Sequence, residues 1–376
     1  MANKFVSSAG PKGTGDGSSE ENAWSLAAAL NDAAAGDYVW IKNDGTYTGT
    51  FTVGCSGSYA ENTHIFFIGY NDISNCDLVN HISDMDYGRA YWGGPLNPNA
   101  ANCWVDVDGQ GAAANVVYQY SKNNLHWRNI HFHNTDKVSF NCAFYAKSCS
   151  GTTFTKCKFT NGYTNLWVDT SSTNCMIKYC YFSDYTVTNL DIGGGSYLNM
   201  FSNCVFNGGM AKMYRSLGCN SIFIGGSYAV GAFYYQNIVF NNTMYGQSSY
   251  CLGYGHNSYS GGLIEYNNIF IPAAKNVPVI YRNGSGTIAY SGFGCAYSIT
   301  DNSVLDTPYG GENSLNVNPH FADAAGNDFR PTNPQVLRGG MPDFADNPSR
   351  IGAILEKYQF VSKAKTANMG RLSIFR

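Results

Sequence analysis

Between residues 156 and 206 one four-residue phrase occurs three times: KCKF at 156–159, YCYF at 179–182 and NCVF at 203–206. Each copy places a cysteine two positions before a phenylalanine. Successive side chains of a strand point to opposite faces, so Cys157 and Phe159 share one face while Lys156 and Lys158 take the other. From Cys157 to Cys180 is 23 residues, and from Cys180 to Cys204 is 24. A strand that returns at this period, with turn residues between copies, predicts a solenoid of stacked coils. Cys157, Cys180 and Cys204 would then form one inward column, and Phe159, Phe182 and Phe206 another. Further out the phrase recurs as NIHF (Ile130, Phe132), NIVF (Ile238, Phe240) and NIFI (Ile269, Ile271), read in the same register. The longer steps, 34 residues from Cys204 to Ile238 and 31 from Ile238 to Ile269, imply inserted loops or an irregular coil around SIFIGG at 221–226.

Composition agrees with an all-β chain. Of 376 residues only 13% are charged, against roughly 25% in average proteins. Aromatics reach 15%, and the 42 glycines supply turns. A net charge of −3 and a pI near 6.1 argue against nucleic acid as a general partner. No stretch approaches the ~20 apolar residues of a membrane span. The opening MANKFVSS has no apolar run of signal-peptide length. The expected setting is therefore a reducing cytosol, in which the 12 cysteines stay free and pack as small hydrophobes. No CxxC pair offers the usual zinc spacing.

The first segment, KFVSSA at 4–9, reads as a strand, and a helix is expected from about Ala23 to Ala35, capped by Asn22 and stopped at Gly36. Such a helix would cover the open end of the first coil. Residues 72–100 read as a long loop leaving the stack. The opening KFVSSAG…GDGSSEENAWSLAAALNDAAAGDYVWIKNDGTYTGTFTV and the close NPHFADAAGNDFRPTNP…RIGAILE resemble those of the pectin-lyase-like superfamily. That resemblance implies a single-stranded right-handed parallel β-helix with a short N-terminal capping helix. The domain would span 1–356, with its cap at about 4–36, and be followed by a basic C-terminal arm at 357–376. The superfamily carries lyases, hydrolases, epimerases, adhesins and viral spikes, so fold alone does not give function.

Candidate chemistry lies on the outward residues. Counting from each core phenylalanine, Asp169, Asp191 and Arg215 fall at nearly equal offsets and would form a ladder with Lys212 close by. Two carboxylates beside cations suit an acidic-sugar site: they could hold Ca²⁺ and a uronate while a base, Lys212 among the alternatives, removes a proton. The layout is similar to Ca²⁺-dependent polysaccharide lyases of the superfamily, and Ca²⁺ is the one cofactor it would imply; otherwise none is expected. Trp167, Tyr185 and Tyr214 could stack on sugar rings. Asp169 and Asp191 could also be the carboxylate pair of a glycoside hydrolase. His131 and His133, both outward in HFH, could bind a metal if a third ligand is found, with Asp136 near in sequence.

The tail KYQFVSKAKTANMGRLSIFR is basic and has spaced apolar residues. Lys357, Phe360, Lys363, Lys365, Arg371, Phe375 and Arg376 form a candidate docking arm that orders on a partner. With no export signal, the arm favours a structural virion protein, a bacteriophage capsid decoration or fibre-like β-helix assembled in the host cytoplasm. Its partners would be other virion subunits or copies of itself, with a host-surface polysaccharide as a further candidate. The alternative from another class is a polysaccharide lyase or hydrolase acting through the face of Asp169, Asp191 and Arg215.

Overall fold

The phrases NIHF, KCKF, YCYF and NCVF each open on a backbone corner, and the same corner recurs in later coils. Asn129, Lys156, Tyr179, Asn203, Asn220, Asn241 and Asn267 all have φ between 50° and 56° and join one strand to the next. Asparagine tolerates this left-handed conformation better than other residues with a Cβ, which is why a polar residue precedes so many copies. The computed structural model describes residues 2–338, except 59–60, 62, 71–103, 139, 256–261, 285–286, 299–302, 304, 307–308 and 327. The expected loop at 72–100, the end of the domain to 356 and the whole arm at 357–376, Lys357 to Arg376 included, lie outside the described residues.

The chain is a parallel β-helix. Among the described residues, three parallel sheets of 11, 9 and 10 strands run its length. The eleven-stranded sheet runs from Asn3–Val6 to Thr287–Gly292, the nine-stranded from Phe51–Val53 to Ile280–Arg282, and the ten-stranded from Tyr47–Thr48 to Cys295–Ala296. In the ten-stranded sheet Phe132, Phe159, Phe182, Phe206 and Phe223 occupy one register. Neighbouring ring centroids in that column lie 5.5, 5.1, 4.7 and 4.5 Å apart. Cys157, Cys180 and Cys204 form the second inward column and are fully buried. Each thiol leans on a backbone carbonyl of another coil, those of Trp127, Phe154 and Ile177 in turn. All ten described cysteines are free and buried.

Beyond Cys204 the column changes chemistry. The register continues it through Ser221, Asn242 and Asn268. The Cys204 amide donates to Ser221 Oγ at 3.1 Å, the Ser221 amide to Asn242 Oδ1 at 2.9 Å, and the Asn242 amide to Asn268 Oδ1 at 3.0 Å. Buried polar side chains thus satisfy one another from coil to coil.

Four expectations need correcting. NIVF belongs to the eleven-stranded sheet, where Val239 points inward and Ile238 and Phe240 face out. In NIFI the inward pair is Asn268 and Phe270, one position off the expected register. Its outward Ile269 and Ile271 are nonetheless buried, because the C-terminal segment folds back over this face and brings Val336 of the helix Pro334–Arg338 against them. An apolar residue on both faces removes the alternation that fixes register in a sequence. SIFIGG is a regular coil; only 17 residues separate Phe206 from its register partner Phe223, so it is short.

The helix is also shorter than expected, Leu26–Asp32, with Ser25 as its N-cap accepting from the Ala28 amide. Asn22 instead accepts from the Thr14 amide, and Trp24 pairs alongside the first strand, donating to the Phe5 carbonyl and accepting from the Ser7 amide. Leu26, Ala29 and Leu30 are buried in the same core as the first coils, so the helix does cap them.

Candidate functional site

The nine-stranded sheet carries on its outer face a row set by register alone. Tyr118 pairs with Tyr145, Tyr145 with Trp167, Trp167 with Asp191, and Asp191 with Lys212. The row then meets two residues without side chains, Gly231 and Gly253, before Tyr281. The Tyr118 and Tyr145 rings lie 5.4 Å apart, and Tyr145 stacks on Trp167 at 4.9 Å with planes 22° from parallel. Phe140, 65% exposed, leans on Trp167 at 6.0 Å. These rings make an open aromatic platform that runs into an acid and a base.

Lys212 Nζ lies 3.6 Å from Asp191 Oδ2. Burial raises the Asp191 carboxyl above the usual carboxylate range; the Lys212 charge pulls the other way, and the Asp169 charge adds to the rise. Asp169 stands on a parallel row, opposite Lys147, and accepts from the Tyr145 hydroxyl at 2.7 Å. Burial, with this bond to an anion, raises the Tyr145 phenol. Gly193 follows next to Asp169 and Trp167: a Cβ there would sit 2.7 Å from Asp169 Oδ1 and 2.9 Å from Trp167 Nε1. Only glycine leaves those two polar atoms clear of a side chain. Among the described residues Trp167 Nε1 is buried with no hydrogen-bond partner.

The expected ladder is therefore only partly assembled. Asp191 and Lys212 meet directly, and Asp169 reaches the row through Tyr145. Arg215 does not join it: it sits at a corner with φ 47°, and its guanidinium lies 4.0 Å over the Tyr235 ring. The offset count failed because coil lengths vary, so equal offsets are not equal registers. Of the aromatics expected to stack on sugars, Trp167 lies in the row. Tyr185 donates to the Gly208 carbonyl at 2.6 Å, and Tyr214 packs edge-on against Tyr235. Tyr118 and Tyr145 were missed; alternation within VVYQYS and CAFYAK puts them outward, which was the available signal.

Asp169 and Asp191 do not gather with a third acid into a metal-ligating cluster among the described residues. Each already has a partner, Tyr145 for Asp169 and Lys212 for Asp191. A group of three residues that could hold a metal ion lies on the ten-stranded sheet. Asp106 is opposite His131, with Asp108 opposite His133. His131 Nδ1 lies 3.1 Å and His133 Nε2 2.8 Å from the same oxygen, Asp106 Oδ1. The third residue is thus Asp106 rather than Asp136, whose carboxylate accepts from Asn141 and the Val138 amide. Burial opposes the charge on Asp106, yet its two histidine contacts hold it well below the usual range. Burial pushes His131 down to about 4 despite its bond to Asp106.

No protein-family model matches the sequence, and no curated protein matches it. Solved structures do resemble the fold. Pectate lyase Pel9A aligns over 94% of this chain and 96% of its own, at 13% identity and a TM-score of 0.56. The GH136 lacto-N-biosidase from Eubacterium ramulus covers 76% of this chain and 68% of its own, at 10% identity and a TM-score of 0.48. An alginate lyase from Paenibacillus sp. str. FPU-7 covers 84% and 98%, at 9% identity and a TM-score of 0.44. The fold is therefore a parallel β-helix like that of pectate lyase Pel9A.

Proposed function

We infer that this chain is a polysaccharide-processing enzyme that holds an acidic glycan along the outer face of its nine-stranded sheet. One observation carries the reading: an in-register row of aromatic rings, Tyr118, Tyr145 and Trp167, ends on the Asp191–Lys212 pair. Sugar rings stack on such platforms, and the cations Lys147 and Lys212 beside them suit a uronate carboxylate. Asp191 is the group fitted to move a proton, since its raised pKa brings it nearer to neutral pH. Lys212 then offsets the negative charge that develops when the proton beside the uronate carboxylate is removed. No step here needs Ca²⁺. The fold shared with a pectate lyase is consistent with a lyase, and a hydrolase using Asp169 and Asp191 is the competing chemistry.

The virion reading rests on an arm that lies outside the described residues. Nothing in the described structure or among the neighbours speaks for it, and it is not carried further.

Polygalacturonate, alginate and other acidic polysaccharides should be incubated with the full chain, with and without Ca²⁺. A lyase produces the ultraviolet absorbance of an unsaturated sugar, whereas a hydrolase produces reducing ends without it. If no acidic glycan is cleaved and none is retained in affinity electrophoresis, the reading falls.

A further inference from the structure

Asp106, His131 and His133 stand on the outer face of the ten-stranded sheet, away from the aromatic row. His131 and His133 share a face because they are two apart on the strand Ile130–Thr135, and Asp106 faces them from the strand Val105–Ala112. Their three ligand atoms lie within 4.8 Å of one another. An ion with tetrahedral bonds of about 2.0–2.1 Å spaces its ligands roughly 3.3 Å apart. The two nitrogen-to-oxygen edges, 3.1 and 2.8 Å, are within a few tenths of an ångström of that spacing.

Two further features prepare these residues for an ion. His131 Nε2 lies 2.8 Å from Thr160 Oγ1, an outer contact that fixes the ring with Nδ1 towards Asp106. His133 Nε2 is buried 2.8 Å from Asp106 Oδ1, and it has no other hydrogen-bond partner among the described residues. The neighbouring cation, Lys158, lies over the rings of Trp104 and Tyr181 at 5.3 and 5.9 Å. The aspartate side chain keeps 36% exposure, so one side of the cluster is open to solvent.

We propose that Asp106, His131 and His133 form a site for one divalent transition-metal ion, Zn²⁺ in the first instance, with water in the remaining position. Two imidazoles and one carboxylate suit Zn²⁺ and disfavour Ca²⁺ and Mg²⁺, which require oxygen ligands. The ion would clamp two successive strands of the ten-stranded sheet, Val105–Ala112 and Ile130–Thr135.

The test is calorimetric titration of the full chain with Zn²⁺ and with Ca²⁺, repeated on Asp106→Asn and His133→Asn. One Zn²⁺ per chain is expected, with no Ca²⁺ binding, and a loss of at least tenfold in affinity in each variant. Thr160→Val, which removes only the outer contact, should weaken binding about 10-fold or more and serves if a ligand variant fails to fold. Co²⁺ guards against capture by thiols: the spectrum should show d–d bands without a thiolate charge-transfer band. Absence of Zn²⁺ binding, undiminished binding in the variants, or a thiolate band would each overturn the site.

Discussion

Phe182 and Phe206 stack almost face to face, with ring centroids 4.7 Å apart and planes only 5° from parallel. The distance is the strand spacing itself, because parallel strands in register bring identical side chains together at that interval. Replacing Phe182 with Ala should therefore cost about 3–5 kcal/mol, since a cavity opens between two rings that the coils above and below hold in place. Denaturant melts check this. A loss below about 1 kcal/mol would mean that the column can close up on itself.

Strand alternation places Lys158 on the outer face. It does face out, but half-buried between Trp104 and Tyr181. Lys158→Ala should cost about 1 kcal/mol through lost packing of its stem and cation–π contact. A neutral result in the same melts would show that those ring contacts contribute nothing.

Trp167→Ala and Lys212→Ala should affect glycan handling differently. Loss of the ring removes a platform and should weaken retention of an acidic glycan roughly tenfold, as for a lost contact of about 1–2 kcal/mol. Loss of Lys212 should also make the remaining binding less sensitive to salt, because a charge contact is gone. Affinity electrophoresis at two ionic strengths distinguishes the outcomes. Equal salt sensitivity in both variants would remove Lys212 from the binding face.

The thiols provide a test of the interior. Burial raises Cys149 to about 11, and Cys175 and Cys219 to about 12. Only the thiolate reacts. The native protein should thus resist alkylation at neutral pH, while the unfolded, unreduced chain should take up label at nearly all 12 cysteines. Mass spectrometry reads both states. Bridged pairs in the unfolded chain would contradict the free-thiol core.

Acid should destabilise the fold through two buried histidines, His131 and His126. His126 packs on Phe66 at 4.8 Å and places Nε2 2.9 Å from His64 Nδ1. Burial, reinforced by the charge on His64, pushes it down to about 4. Between about 6.5 and 4 the unfolded chain holds a proton that the folded chain does not, so stability falls as pH drops through that window, by up to about 3 kcal/mol. Glu265 acts with the opposite sign. Burial raises its carboxyl, so its contribution is lost as pH rises above its unfolded value. His126→Gln should flatten the acid limb of a stability–pH curve; an unchanged limb would assign the loss elsewhere.

Much of the fold could be read from KCKF, YCYF and NCVF, because inward columns repeat residue identity and strand alternation assigns the faces. Legibility failed at NIVF and NIFI, where apolar residues occupy both faces; at NIFI the second face is covered by a segment about 65 residues later in the chain, beyond any local pattern. The candidate site was half legible. Asp191 and Lys212 could be named as outward residues. Their pairing, like that of Asp106 with His131, depends on coil length, and coils here differ by several residues. A one-residue error in length moves a side chain to the other face, so long-range register had to come from the three-dimensional stack.

The change from Cys204 to Ser221, Asn242 and Asn268 has a consequence for how the chain finds its stack. Coils lined only by alike apolar rungs could slide past one another by a whole coil at little cost, since every rung would meet an equivalent rung. Here a slip would set an amide-bearing rung beside a thiol, leaving Asn242 or Asn268 without its partner in the interior, at about 1–3 kcal/mol for each orphaned group. The column therefore works as a tally. It marks which coil is which, and ring stacking can reward compaction without also rewarding miscounted assemblies.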